Sequence, residues 1–179
     1  MFDLLEEPLP GLKVIQPRLF NDERGAFVKT YHKALWRHLG IEFGLEEEFF
    51  STSRKGVLRG MHFQAPPQGL SKIVYCVVGR VLDVVVDLRS EFSTYGAVAS
   101  VELSAENRKI VYIPEGFAHG FLAVDDHSCL IYKTNVAYSP DHDLGVHWKS
   151  IDFDWPLLTP IVSERDQGFP CLGGFDSPF

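Results

Sequence analysis

Along the middle of the chain apolar residues recur with a period of two, the spacing that places alternate side chains on one face of a β-strand. From Lys72 to Arg89 the run is rich in β-branched residues and broken only at Gly79-Arg80, which predicts two strands joined by a turn. In the second of these, Leu82, Val84, Val86 and Leu88 alternate with Asp83, Asp87 and Arg89, the pattern of a strand with one dry face. Further strands are predicted at Ala97–Leu103, Lys109–Ile113, Gly120–Val124 and Cys129–Asn135, separated by Ser-Ala-Glu-Asn, Pro-Glu-Gly and Asp-Asp-His turn segments. Helical spacing is clear only at Tyr31–Leu39, where Tyr31, Ala34, Leu35, His38 and Leu39 share a face and Gly40 supplies a stop. Short strands at this interval predict an all-β sandwich or barrel. From Ser139 onward, Pro140, Pro156, Pro160, Pro170 and Pro178 predict an irregular wrap of short extended or helical pieces.

Composition narrows the function classes. The 179 residues suit one continuous domain, 1–179, since neither repeats nor a linker divide the chain. With 17 Lys+Arg against 24 Asp+Glu, the net charge of −7 argues against broad binding to nucleic acid or an anionic membrane. A negatively charged ligand would need a local cluster of cations. Aromatic residues make up 13%, including 14 Phe, in short apolar stretches rather than heptads, which points to a β-rich aromatic core or pocket. The N-terminus lacks the basic and apolar regions of a secretory signal, and no apolar run reaches the length of a membrane span. Cys76, Cys129 and Cys171 are odd in number, widely spaced and without a C-x-x-C, which fits reduced thiols in a cytoplasm, with Cys76 and Cys129 as small core residues.

Four segments hold candidate chemistry. In Gly56-Val-Leu-Arg-Gly-Met-His-Phe-Gln64, Arg59 and His62 lie three apart and would face opposite sides of a regular strand. A bulge or bend at Gly60 is needed to bring both to one pocket. Read alone, His62 is first a packed, hydrogen-bonded core residue. Ile113-Pro-Glu-Gly-Phe-Ala-His-Gly120 delivers His119 from a turn into a strand, as a polar cap or as part of a site. Its P-x-G-x-x-H form invites a two-His, one-carboxylate metal site, but the first half reads His62-Phe63-Gln64 and lacks the second histidine such a site would use. On Leu130-Ile-Tyr-Lys-Thr134, Tyr132 shares a face with Leu130 and Thr134 and by itself reads as a large apolar filler with its hydroxyl satisfied. Ser163-Glu-Arg-Asp166 reads by default as a solvated charged turn. Phosphate loops, nucleophile elbows and H-E-x-x-H motifs are absent.

Taken in order, Asp22-Glu-Arg-Gly-x-Phe27, Gly56-Val-Leu-Arg-Gly-x-His62, Lys72, Asp83-Val-x-Val-Asp-Leu-Arg89, Leu103-Ser-x-x-Asn107, Ile113-Pro-x-Gly-Phe-Ala-His-Gly-Phe121, Tyr132-Lys-x-x-x-x-Tyr138, Trp155-Pro156 and Ser163-x-x-Asp166 resemble the dTDP-4-dehydrorhamnose 3,5-epimerase family. The resemblance runs from about Gly11 to Asp166. It implies a jelly-roll cupin barrel with one short N-terminal helix, a homodimer that exchanges N-terminal strands, and catalysis on a nucleotide-diphosphate 4-keto-6-deoxyhexose without metal or organic cofactor.

Such chemistry has its own logic. A proton on C3 or C5 is acidic because the C4 ketone delocalises the charge left behind, so a base on one face, an acid on the other and a cation at O4 are needed. The resemblance implies His62 as base, an imidazole ordinarily titrating at about 6.5, and Asp166 as the carboxylate that fixes its tautomer. It implies Lys72 at the enolate oxygen and Tyr132 as the opposing acid. Arg24 and Arg59, with Arg165 as a third candidate, would grip the diphosphate. His119 and Asp143 would lie near the ligand, Tyr138 would stack on the base, and Phe27, Phe63 and Phe121 are expected near the pocket rim or base-stacking region.

The chain also departs from the family pattern. Glu47-Glu-Phe49 stands where many members have Gln-x-Asn, Lys29 where Glu is usual, and Asp143 where Glu is common. These changes allow a carrier base other than thymine. Inversion at C3 alone or C5 alone, a 3,4-ketoisomerase and a non-catalytic sugar-binding jelly roll are the alternative readings.

Overall fold

In a computed structural model describing residues 1–179, the elements follow in the order β1 (Phe2–Leu9), β2 (Leu12–Pro17), β3 (Leu19–Asp22), β4 (Gly25–Val28), α1 (Lys33–Arg37), β5 (Glu47–Ser53), β6 (Leu58–Gln64), β7 (Lys72–Val78), β8 (Arg80–Asp87), β9 (Val98–Ser104), β10 (Ile110–Ile113), β11 (Phe117–Ala123), β12 (Ser128–Thr134), β13 (Asp143–Gly145) and α2 (Glu164–Gln167). A six-stranded sheet, β1-β2-β10-β7-β12-β5, faces a five-stranded sheet, β13-β6-β11-β8-β9. This is the all-β double sheet of a cupin jelly roll. Gly79, at φ +71°, turns the chain from β7 in one sheet to β8 in the other, which is why a continuous β-branched run breaks there.

Three apolar clusters hold the layers together. Between the sheets lie Val74, Val85, Val111, Phe117, Phe121 and Leu130, among others. Outside the five-stranded sheet, Val84, Val86 and Leu88 meet Val146, Trp148 and Ile151 of the C-terminal wrap. Outside the six-stranded sheet, Ile15, Ile73 and Ile110 meet Trp36, Ile41 and Phe43 from α1 and the segment after it. Trp36 is fully buried there, so its truncation to alanine would cost about 3–5 kcal/mol. No helix is long and apolar enough to cross a membrane.

Several predicted elements shift. α1 is shorter than Tyr31–Leu39 because His32 gives no side-chain cap at its start. Its end is closed by Gly40 N–H to Arg37 O (3.0 Å) and Ile41 N–H to Trp36 O (3.1 Å), the Schellman pair that Gly40 permits at φ +74°. β11 reaches back to Phe117 because all its residues are buried, which erases the alternation that marks a half-exposed strand. β8 likewise has no wet face: Asp83 and Asp87 are 1% and 0% exposed, since the wrap covers one side and the barrel interior the other. Asp87 is held by Arg89 (2.9 and 2.6 Å) and Thr94 (2.7 Å). A second helix, α2, forms where a solvated turn was expected.

Candidate active site

Across β6 and β11, His62 pairs with His119 and Arg59 with Phe121, so β6 contains one residue more than its partner between the same two registers. That extra residue is the bulge the Arg59–His62 spacing requires, and it turns both side chains to the same face. Gly60 sits in it at φ +129°, and a Cβ there would lie 2.5 Å from Gly120 Cα and 2.9 Å from His119 O. Only glycine fits.

The bulge also receives Asp166. Its Oδ2 accepts from Gly60 N–H (2.9 Å), and its Oδ1 lies 2.9 Å from His62 Nε2. Ser163 Oγ accepts from Asp166 N–H (3.1 Å) and so caps α2, holding the carboxylate in place. Asp166 is 4% exposed, which corrects the solvated reading for that residue, while Ser163, Glu164 and Arg165 are exposed as expected. Burial pushes its carboxyl upward, but the bond and charge of His62, with Gly60 and Ser163, outweigh this and keep it below its usual value. An ionised Asp166 places the imidazole proton on Nε2 and leaves Nδ1 as the free base. Phe169 meets the His62 ring edge-on at 5.7 Å, in space that Gly145 provides, since a Cβ there would stand 2.5 Å from the Phe169 ring.

On the facing sheet, Tyr132 stacks on Phe49 with ring centroids 4.8 Å apart and planes at 12°. Its Oη lies 3.3 Å from Ser51 Oγ. Burial pushes this phenol well above its ordinary range, so it stays a neutral proton donor. Lys72, on β7, donates from Nζ to His62 O (3.3 Å). Burial lowers its ammonium to about 8, against the opposite pull of Asp143 and Asp83. His119 Nε2 lies 2.7 Å from Asp83 Oδ2, and both side chains are buried.

These groups line two adjoining lobes. The inner one, about 210 Å³, is walled by Arg59, His62, Lys72, His119, Phe121 and Tyr132, with Phe49 and Ser51. The outer one, about 240 Å³, takes in Glu47, Phe63, Gln64, Thr134, Tyr138, Asp143 and Arg165, and shares Phe49, His62 and Lys72. Arg165 pairs with Asp143 at 2.8 Å. Arg59 bonds only to Ser53 Oγ and Thr52 O, each at 3.1 Å, and is the cation freest to meet an anion. Glu47 accepts from Tyr138 N–H at 2.7 Å, and the Tyr138 ring is exposed.

Three expected contacts fall elsewhere. Arg24 and Phe27 lie on the β3–β4 hairpin, which pairs only with itself, and Lys29 follows it. Arg24 is bound to Asp22, Phe27 is 60% exposed and tilted against Phe20 at 6.2 Å, and none of the three lines either lobe of the same chain. Because the hairpin pairs with neither large sheet, nothing in their registers holds its side chains at the lobes those sheets wall. Phe121 is a buried wall rather than a rim, and Phe63 packs on Phe175 and Phe179. Asp83, Ser51 and Phe169 were not foreseen as partners of site residues. Of these only Asp83 left a trace in the sequence, a carboxylate flanked by apolar residues in β8. The two histidines each bind a separate carboxylate, and no three His, Cys, Asp or Glu side chains are grouped to hold a metal ion. Cys76 is buried, its thiol pushed up to about 11 by that burial, as suits a core residue.

Residues 6–173 match the family model described as dTDP-4-dehydrorhamnose 3,5-epimerase. An enzyme of that name from Methanothermobacter thermautotrophicus is 42% identical over 177 residues, 96% of this chain and 95% of the relative. A dTDP-4-dehydrorhamnose 3-epimerase from Streptomyces niveus is 40% identical over 89% of this chain and 78% of the relative. The crystal structure of dTDP-6-deoxy-D-glucose-3,5-epimerase from Legionella pneumophila, in complex with dTDP-4-keto-L-rhamnose, is similar with a TM-score of 0.94 at 34% identity, over 98% of this chain and 95% of that one. With sequence likeness and fold agreeing over almost the whole length, the chain belongs to the dTDP-4-dehydrorhamnose 3,5-epimerase family.

Proposed function

We propose that this protein inverts C3 and C5 of a dTDP-4-keto-6-deoxyhexose by proton transfer through an enolate. The observation that carries the reading is that His62 and Tyr132 enter one lobe from opposite sheets, with Lys72 beside them. His62 Nδ1 takes the proton from the carbon next to the ketone, and the C–H electron pair moves into the C–C bond as O4 becomes negative. The Lys72 ammonium stabilises that oxygen. Tyr132 then gives its O–H proton to the carbon from the other face, the ketone re-forms, and the configuration is inverted. Asp166 holds the His62 tautomer and balances the imidazolium.

Arg59 and Arg165 face the region where the diphosphate would lie, and Tyr138 offers a ring to the base. The remaining contacts require a second copy. In a homodimer exchanging N-terminal strands, the exposed β3–β4 hairpin would bring Arg24, Phe27 and Lys29 to the partner's cavity. Residues 1–179 act as one domain, and the three unpaired thiols suit a reducing cytoplasm. Inversion at C3 alone is the second reading, favoured by the likeness to the Streptomyces niveus enzyme.

Incubation with dTDP-4-keto-6-deoxyglucose in heavy water tests both. Deuterium at C3 and C5 with inverted configuration is expected, label at C3 alone selects the second reading, and no label at either carbon overturns both. Tyr132→Phe should keep exchange while inversion falls about a hundredfold.

A further inference from the structure

Phe49 and Tyr132 stand directly opposite each other on β5 and β12, with their rings stacked. β5 is the edge strand of its sheet, and Phe49 is 44% exposed, so filling the core does not account for a phenylalanine there. The Tyr132 hydroxyl has one partner, Ser51 Oγ at 3.3 Å, a long contact for an O–H···O bond. His119 meets the ring only edge-on, at 6.2 Å. Tyr132 is buried in the apolar cluster between the sheets, and the aromatic face laid parallel to its phenol is that of Phe49, a cross-strand aromatic pair.

We propose that Phe49 is a positioning residue that aims the Tyr132 phenol at the substrate carbon and so sets the partition between inversion and retention. This rests on the reading of His62 as base and Tyr132 as acid. Once His62 has taken the proton, the enolate has two exits. Tyr132 can supply its proton from the far face, keeping the O–H electron pair as phenolate, and the carbon inverts. Alternatively the His62 imidazolium, its proton exchanged with solvent, returns one to the near face and the original configuration is restored. Only the first exit depends on where the phenol sits. Loss of the Phe49 ring frees Tyr132 to swing and slows that exit, while the second is untouched because His62 is held by Asp166.

The test is the ratio of deuterium incorporated with retention to deuterium incorporated with inversion, measured by NMR on dTDP-4-keto-6-deoxyglucose in heavy water. Phe49→Ala and Phe49→Leu should raise the ratio at least about fivefold, and Phe49→Tyr, which keeps a ring in the stack, should hold it within about twofold of the parent. The ratio is set within each active molecule, so a smaller folded fraction leaves it unchanged. A ratio unaltered in Phe49→Ala and Phe49→Leu, or raised equally in Phe49→Tyr, overturns the proposal. Absence of label from the parent protein would instead overturn the base-and-acid reading beneath it.

Discussion

His62 and His119 occupy opposed positions on β6 and β11, and each imidazole is bound to a carboxylate of its own. The His62 side chain keeps 29% of its surface open to the cavity, whereas that of His119 keeps 4% and its partner Asp83 keeps 1%. One pair is placed to exchange protons with a ligand. The other, through His119, belongs to the wall of the same lobe but is almost fully buried, each side chain serving as the other's hydrogen-bond partner.

Replacing each histidine should separate these roles. His62→Ala is expected to lower kcat at least about a hundredfold with little change in the urea unfolding midpoint. His119→Ala leaves Asp83 buried without its hydrogen-bond partner and should cost about 1–3 kcal/mol of stability. Equilibrium unfolding of both variants, beside their exchange rates, checks the contrast.

Asp166→Asn retains an oxygen for Gly60 N–H but can present an amide to His62, favouring the opposite tautomer. A fall in kcat on the order of a thousandfold is expected, with KM within a few-fold of the parent. Steady-state kinetics decide it, and an equal loss in Asp166→Asn binding would point to a collapsed cavity instead.

The Lys72 ammonium, lowered to about 8 by burial, should impose an alkaline limit on turnover: activity falls as pH rises through about 8, because the neutral amine no longer offsets the charge at O4. For stability the sign is opposite. Lys72 titrates below its ordinary value of 10.5, so the unfolded chain binds the proton more tightly and Lys72 adds stability as pH rises from about 8 to 10.5. A pH-rate profile and unfolding at two pH values test the two halves, and Lys72→Met should remove both trends.

At Gly60 a methyl group meets both a left-handed backbone and the Gly120 Cα. Gly60→Ala should therefore lose at least about 2 kcal/mol and displace the N–H that holds Asp166. Calorimetry measures the first effect. Loss of kcat beyond the loss of folded protein measures the second.

How much of this was legible varied with the physics of each segment. β7, β8, β9 and β12 were visible because β-branched runs between turn residues have few other stable conformations. The inward turn of Asp83 and Asp87 was not, since alternation marks two faces without saying that both are covered. Arg59 and His62 disclosed the need for a bulge, as three residues on a regular strand cannot share a face. Asp166 read locally as part of a charged turn, and its pairing with His62 was expected from family resemblance alone; the packing of α2 against β6 is what brings the two together. Phe49 was placed in the binding region through family resemblance alone, and its stack on Tyr132 depends on a register between β5 and β12 that no local pattern encodes.

By itself, then, the sequence determined the strand periodicity, the glycine breaks at Gly40, Gly60 and Gly79, and the residue types suited to moving a proton beside a ketone. Tertiary structure decided which of those residues meet. His62 and Asp166 come from segments 104 positions apart, His62 and Tyr132 from opposite sheets, and Arg24 and Phe27 are carried out of the cavity on a hairpin of their own. The reason is that backbone preference acts over a few neighbouring residues, whereas proton transfer needs groups within about 3 Å of the reacting atoms, a distance that only the packing of two sheets against each other can set.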